Sequence, residues 1–200
     1  MTGLQQLKPD LIKSRTRQLI WVETTERARE PSLIKLLQTL GYDTSQGVLV
    51  GKDQLSNLAR VDPPQVVRML GSTYQFAVID AFTGFNPNAV AQITGAVAGG
   101  GVLILLTPEA KDWPNYADPE YLHLGYRESD LRPKGLFLRW ICQGLNDKRV
   151  YRVGKATDIS RSIKSAVTER PCQQPFRSND QFCAVNRMVA AWSRERSALV

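Results

Sequence analysis

Apolar residues along the chain alternate between short continuous runs, typical of strands, and stripes at helical spacing. The pattern predicts strands over residues 18–23, 47–51, 76–80 and 102–106. It predicts helices over residues 4–14, 31–40, 63–70 and 86–98, and a helical turn or two over residues 53–59. Because strands alternate with helices, we expect an α/β domain whose mostly parallel sheet is covered by helices on both faces.

The segment from residue 76 to residue 108 is the most informative stretch. Asn86 is a good N-cap for the helix that follows, and Pro87 fits its first position, where no N–H is needed. Gly99, Gly100 and Gly101 come after this helix and before the next strand. A phosphate loop comes after a strand and before a helix. The three glycines are therefore predicted to cap the helix and return the chain, although a phosphate loop is the alternative.

The last third of the chain has a less regular pattern. Residues 136–142 fit either a late strand or the start of a helix, and residues 148–153 alternate as an edge strand does. Beyond them we expect a helix over 160–167, a linker over 171–175 and a helix over 179–193. The final Ala-Leu-Val indicates a strand that is only begun, so the natural protein is expected to continue.

Composition restricts the class of protein. Two hundred residues can bury one core with a small appendage, and no apolar run approaches the roughly 20 residues that span a bilayer. Cys142, Cys172 and Cys183 lie far apart, which disfavours a disulfide framework or a structural zinc site. His123, the single histidine, has no evident acid–base partner. We therefore expect a cytoplasmic protein with no membrane or metal partner.

The basic residues are unevenly distributed. Residues 1–126 carry a net charge of −1 and residues 127–200 a net charge of +8. Such an excess favours an anionic partner, with nucleic acid first, or else a solvated face or an acidic neighbouring domain. Four cations lie close together and are the RNA-binding candidates, although charges on an edge strand also prevent aggregation: Lys148, Arg149, Arg152 and Lys155.

Asp80 is the other candidate for chemistry, because ligands of parallel sheets bind beyond the carboxyl ends of the strands, here in the 80–86 loop. An aspartate at a strand end is similar to the metal-water carboxylate of nucleotide hydrolases. The chain contains no GxxxxGK[ST] motif, so the predicted layering is Rossmann-like or RecA-like without a P-loop. Capping of its own loop is therefore the favoured role for Asp80.

Three patches together resemble one family: FAVIDAFTGFNPNAVAQITGAVAGGGVLILLTP, FLRW at residues 137–140 and SNDQFCAVNRM at residues 178–188. They are similar to the N-terminal region of bacterial tRNA(Met) cytidine acetyltransferases, in which a helicase-like module is fused to an acetyltransferase. The order Asp-Ala-Phe, Gly-Phe-Asn-Pro, three glycines and Thr-Pro is the specific part of the match.

The resemblance implies an N-terminal α/β domain over residues 1–170, followed over 171–200 by a linker and the first helix of a helicase-like ATPase domain. The full enzymes acetylate N4 of the wobble cytidine of elongator tRNA(Met), using acetyl-CoA and the hydrolysis of ATP or GTP with Mg. Those cofactors would belong to the downstream domains, and this segment would hold none and be inactive alone. Gln181 matches the glutamine that reads the adenine edge upstream of a helicase P-loop, since an amide offers both a donor and an acceptor.

Three functions remain open at this point. The first is a non-catalytic module of an RNA-acetylating enzyme, with tRNA and the downstream domains as partners. The second is a self-sufficient α/β enzyme that uses Asp80. The third is a free-standing adaptor or RNA-binding protein, which the charge asymmetry would fit.

Overall fold

The computed structural model describes residues 3–124 and 135–154. Its helices are α1 (Gly3–Ser14), α2 (Arg29–Leu40), α3 (Pro87–Ala96) and α4 (Leu136–Leu145). Its strands are β1 (Gln18–Glu23), β2 (Gly47–Val50), β3 (Ala59–Val61), β4 (Tyr74–Asp80), β5 (Val97–Thr107) and β6 (Tyr151–Val153). No helix in this part of the chain is long and apolar enough to cross a membrane.

The strands form one six-stranded sheet in the order β3-β2-β4-β5-β1-β6, and every pairing is parallel. β4 and β5 lie at the centre, where Val78 is opposite Ile104. Their side chains are buried on both faces, as expected for parallel strands covered by helices. The α/β class predicted from the sequence is thus confirmed.

Two apolar cores cover the two faces of the sheet. On one face the leucines of α1 and α2 pack against Ile20, Val78 and Ile104. On the other face α3 and α4 pack against Trp21, Ile79 and Leu105. The alternation of side chains along each strand sends successive residues to opposite cores.

The helix boundaries follow the capping signals in the sequence. The Asn86 side chain accepts a hydrogen bond from the Ala89 N–H at 2.9 Å, and Pro87 opens α3. Gly41 ends α2 in the left-handed region at φ 67°, where a side chain would be strained. The edge strand expected over residues 148–153 is present but shorter, as β6, and residues 148–150 lie in the turn before it.

The role predicted for the glycine triplet is wrong. Val97 caps α3, and the glycines lie within β5, where the pairing with β4 is interrupted between Tyr74 and Phe76. A Cβ on Gly101 would lie 2.3 Å from the Gln75 carbonyl oxygen, so the close approach of β4 excludes any side chain. The triplet lies at the amino end of the strand, and the Gly100 N–H donates to the Thr16 carbonyl at 2.8 Å.

Three other local expectations change. Residues 53–59 form no helical turn, and β3 begins at residue 59. β3 was not predicted because it has only three residues, two of them with exposed side chains, which is too short for a strand pattern. The helix over 63–70 is a 3-10 helix, Pro63–Met69. Residues 136–142, left open between strand and helix, begin α4. The boundary at residue 170, the helix over 160–167 and everything predicted for 171–200 lie outside the described residues.

Candidate functional site

The strand order places a switch point between β2 and β4. These strands are neighbours, but the chain leaves β2 for β3 on one side and leaves β4 for β5 on the other. In open parallel sheets the loops that diverge at such a point leave a crevice where ligands bind. Here the crevice lies between Gly51 and the 80–86 loop, the location expected from the sequence.

An arginine from α2 fills this crevice. Arg29, only 9% exposed, donates from Nη1 to Asp80 Oδ2 at 2.8 Å and from Nη2 to Asp53. Its guanidinium also lies 5.8 Å from the centre of the Phe82 ring. Asp80 is fully buried, whereas the Asp53 side chain is 52% exposed. The guanidinium therefore joins a buried carboxylate to one at the surface.

Asp80 also organises its own loop. Its Oδ1 accepts from the Phe82 N–H at 3.2 Å, which confirms the predicted capping role. Burial raises the pKa of the Asp80 carboxyl above its ordinary value, against the opposing charge of Arg29. Thr83 joins the loop to the segment after β2, because its Oγ1 accepts from the Lys52 N–H at 3.1 Å.

The two sides of the crevice lie in contact at Gly51. A Cβ at this position would lie 3.0 Å from the Asp80 Cβ and 3.2 Å from Thr83 Oγ1. The Arg29–Asp80 ion pair and this close approach hold the segments after β2 and β4 together. The arrangement therefore braces the carboxyl end of the sheet.

A second buried carboxylate holds the far side of the same loop. Asp118, 5% exposed, accepts from the Phe85 N–H at 3.2 Å and from the Glu120 N–H at 2.9 Å. Asn86 Nδ2 donates to Glu120 Oε1. Burial raises the pKa of Asp118 above its ordinary value, and the two backbone N–H groups oppose the shift. The start of α3 is thereby fixed to the 118–120 turn.

The described residues contain no group of three or more histidine, cysteine, aspartate or glutamate side chains arranged to hold a metal ion.

Comparison with known proteins identifies the family. The family model described as tRNA(Met) cytidine acetyltransferase TmcA, N-terminal, matches residues 1–154. The chain belongs to this family. The TmcA match includes all six strands and the buried residues Arg29, Asp80 and Asp118 at the carboxyl end of the sheet.

Curated relatives carry the same name. A tRNA(Met) cytidine acetyltransferase TmcA from Nitrosococcus halophilus is 30% identical over 152 residues, which cover 70% of this chain and 20% of the relative. TmcA from Haloferax volcanii is 46% identical over 85 residues, covering 38% and 11%. TmcA from Yersinia pestis is 30% identical over 116 residues, covering 58% and 16%. The chain thus spans at most about a fifth of the length of these TmcA relatives.

The structure separates the basic candidates. Arg152 donates to both carboxylate oxygens of Glu23 and to Asn146 Oδ1, and its guanidinium lies 4.5 Å from the centre of the Trp21 ring. Glu23 also accepts from the Ala110 N–H at 2.7 Å. Arg152 thus connects β6 to the carboxyl end of β1, and its charge is neutralised within the TmcA domain.

Arg149 and Lys148 lie at the opposite, amino end of the sheet. Arg149 forms a bidentate ion pair with Asp147. The hydrogen bonds from Arg149 lower the pKa of the Asp147 carboxyl to about 2. Lys148 is exposed. Among the three described candidates, Arg152 stands apart, because its guanidinium binds Glu23 at the carboxyl end of β1. Lys155, Gln181 and the side chain of His123 lie outside the described residues.

Three residues of this site were not predicted from the sequence: Arg29, Asp53 and Asp118. Arg29 did carry a signal, because it precedes Leu33 by four positions and extends the buried leucine stripe of α2 by one turn. A cation in line with an apolar stripe indicates a buried partner of opposite charge. Asp118 carries no comparable signal, since it lies in an irregular loop without periodicity.

Proposed function

We propose that the chain is the supporting N-terminal module of an enzyme that acetylates N4 of the wobble cytidine of elongator tRNA(Met). Helicase-like and acetyltransferase domains of the same protein would supply the hydrolysis of ATP or GTP and the transfer from acetyl-CoA. The enzyme would act in the cytoplasm. The single observation that carries this proposal is the TmcA family match over residues 1–154, which includes the whole described fold.

The geometry at the carboxyl end of the sheet supports a bracing role. An enzyme that used Asp80 would present that carboxylate to a substrate. Asp80 instead binds Arg29 and the Phe82 N–H at zero exposure. A buried, hydrogen-bonded ion pair stabilises one arrangement of the loops around it. These loops hold the ends of β2 and β4 and, through Asn86, the start of α3.

Gln181 is proposed to contact the adenine of the nucleotide bound by the helicase-like domain. A glutamine amide can donate to and accept from the adenine edge together, and the guanine edge presents a different pattern. In the complete enzyme, Gln181→Ala should raise KM for ATP more than KM for GTP, whereas Gln174→Ala in the predicted linker should change neither. Equal changes in KM for ATP and for GTP would contradict the proposal that Gln181 reads the base.

The test of the proposed function compares the complete enzyme with a form that lacks residues 1–154. Both would be incubated with tRNA(Met), acetyl-CoA and ATP, and N4-acetylcytidine would be quantified by mass spectrometry of nucleosides. We expect acetylation to fall at least about tenfold without the module, a loss of about 1.4 kcal/mol in transition-state stabilisation. RNA-stimulated ATPase activity would be measured in parallel. Unchanged acetylation and ATPase activity would contradict the proposal.

A further inference from the structure

The folded chain brings basic residues from two distant segments to the amino end of the sheet. Lys13, Arg15 and Arg17 come from the end of α1 and the turn that follows it, and Lys148 comes from the turn before β6. β1 and β6 are parallel neighbours, with Ile20 opposite Tyr151, so the residues before each strand lie side by side. We call these four cations the basic amino edge.

Hydrogen bonds fix the backbone beneath the basic amino edge. Gln18 Nε2 donates to the Arg149 carbonyl at 2.7 Å, which joins the two segments directly. Arg17 Nε donates to the Val97 carbonyl at 2.6 Å. The Gly100 N–H donates to the Thr16 carbonyl, and a Cβ on Gly99 would lie 3.1 Å from the Arg15 carbonyl oxygen. The turn therefore lies tightly against the glycine segment of β5.

The cations of the basic amino edge have no ion-pair partner in the part of the chain that the structure describes. In that part of the chain Lys13, Arg15, Arg17 and Lys148 are exposed and form no ion pair. Asp147 forms its ion pair with Arg149 and has only a weaker electrostatic attraction to Lys148. Arg152, by contrast, is neutralised by Glu23 at the other end of the sheet. The dipole of α1 favours cations such as Lys13 and Arg15 near its carboxyl end, but it does not account for Lys148.

We propose that the basic amino edge binds the phosphate backbone of RNA. Four exposed cations, on two segments joined by a hydrogen bond, form a surface that fits consecutive phosphates. The choice of RNA rather than another polyanion rests on the proposed function. The contacts are to phosphate, so this surface positions RNA without reading its sequence.

The test uses the 200-residue chain and a matched pair of triple variants. The edge variant carries Lys13→Gln, Arg15→Gln and Lys148→Gln. Arg17 is left in place because it also binds the Val97 carbonyl. The control carries Arg27→Gln, Lys35→Gln and Arg68→Gln, which removes the same charge from exposed positions elsewhere. Binding of fluorescent tRNA would be measured by anisotropy between about 50 and 200 mM KCl.

We expect the edge variant to bind tRNA at least about tenfold more weakly than the parent chain. Its salt dependence should become shallower by about one unit of slope for each phosphate that it no longer neutralises. The control variant should bind nearly as the parent does. A third variant with Lys13→Arg, Arg15→Lys and Lys148→Arg keeps the charges and should restore binding. Thermal unfolding of all three checks the fold, since exposed substitutions change stability by about 0.5 kcal/mol or less.

Three results would overturn the inference: equal losses in the edge and control variants, no detectable tRNA binding by the parent chain, or unchanged tRNA binding by the edge variant. The last result would indicate that the edge faces an acidic protein surface instead. The proposed function is judged separately by tRNA acetylation in the complete enzyme. If acetylation needs residues 1–154 but the edge variant binds tRNA normally, the RNA-binding role of the basic amino edge is overturned and the proposed function stands.

Discussion

Individual charged residues in the interior hold the carboxyl end of this sheet together. Asp80 has zero exposure and Asp118 5%, and each accepts hydrogen bonds that connect two segments of chain. Breaking such a buried contact costs far more than breaking a surface ion pair, because the remaining group loses its partner without regaining water. Stability measurements on single variants therefore test the site residue by residue.

The first prediction concerns the Arg29 ion pairs. Asp80→Asn should lower the free energy of unfolding by about 3 kcal/mol, because it leaves the buried guanidinium partly unpaired. Asp53→Asn removes the other partner of the same guanidinium, but Asp53 is half-exposed, so we expect a loss of about 1 kcal/mol or less. Urea denaturation of both variants measures the difference. Equal losses would show that burial does not set the strength of these contacts.

The second prediction concerns pH. Burial raises the pKa of Asp118 above its ordinary value of 3.8, so the folded protein binds the proton more tightly than the unfolded chain does. The stability contributed by Asp118 is therefore full below pH 3.8 and decreases as pH rises through the folded pKa. Relative to Asp118→Asn, the parent chain should lose stability as pH rises from about 4 to 7. A relative gain over that range would mean that the folded pKa is lowered.

At the scale of elements, the segments with strong local signals were predictable and the others were not. β4, α3 and β5 followed from two apolar runs and an Asn-Pro start. β3 was missed because it has three residues, two of them exposed. The glycine triplet was assigned to the end of α3, because nothing local shows how closely Gln75 and Ile12 approach it.

The third prediction tests that close approach. Gly101→Ala places a Cβ 2.3 Å from the Gln75 carbonyl oxygen and should lower the free energy of unfolding by more than about 2 kcal/mol. Gly95→Ala, in α3 with nothing within 4 Å of the new Cβ, should raise it by about 0.5 kcal/mol through helix propensity. Thermal unfolding compares the two. A neutral Gly101→Ala variant would show that the β4–β5 contact is looser than described.

The fourth prediction concerns the two faces of α4. Leu138 is 1% exposed in the core, whereas Trp140 is 67% exposed. Leu138→Ala should lower the free energy of unfolding by about 2–5 kcal/mol. Trp140→Ala should change it by about 0.5 kcal/mol or less. A large loss at Trp140, measured by urea denaturation, would show that this side chain belongs to the core.

At the scale of the whole molecule, the sequence predicted the class of fold but not the distribution of charge over its surface. Counting charge along the chain gave residues 1–126 a net of −1 and directed attention to Arg152. The sheet order then placed the start of β1 beside the start of β6. Lys148 thereby lies beside cations from the first 17 residues, and Arg152 is neutralised. Such a juxtaposition depends on strand order, which local patterns do not encode.

We propose that this domain supports tRNA acetylation within a longer enzyme and does not itself perform it. The most direct test incubates the purified 200-residue chain with tRNA(Met), acetyl-CoA and ATP and measures N4-acetylcytidine by mass spectrometry, with the complete enzyme as the positive control. We expect acetylcytidine from the complete enzyme only. Acetylcytidine formed by the 200-residue chain alone would contradict the claim.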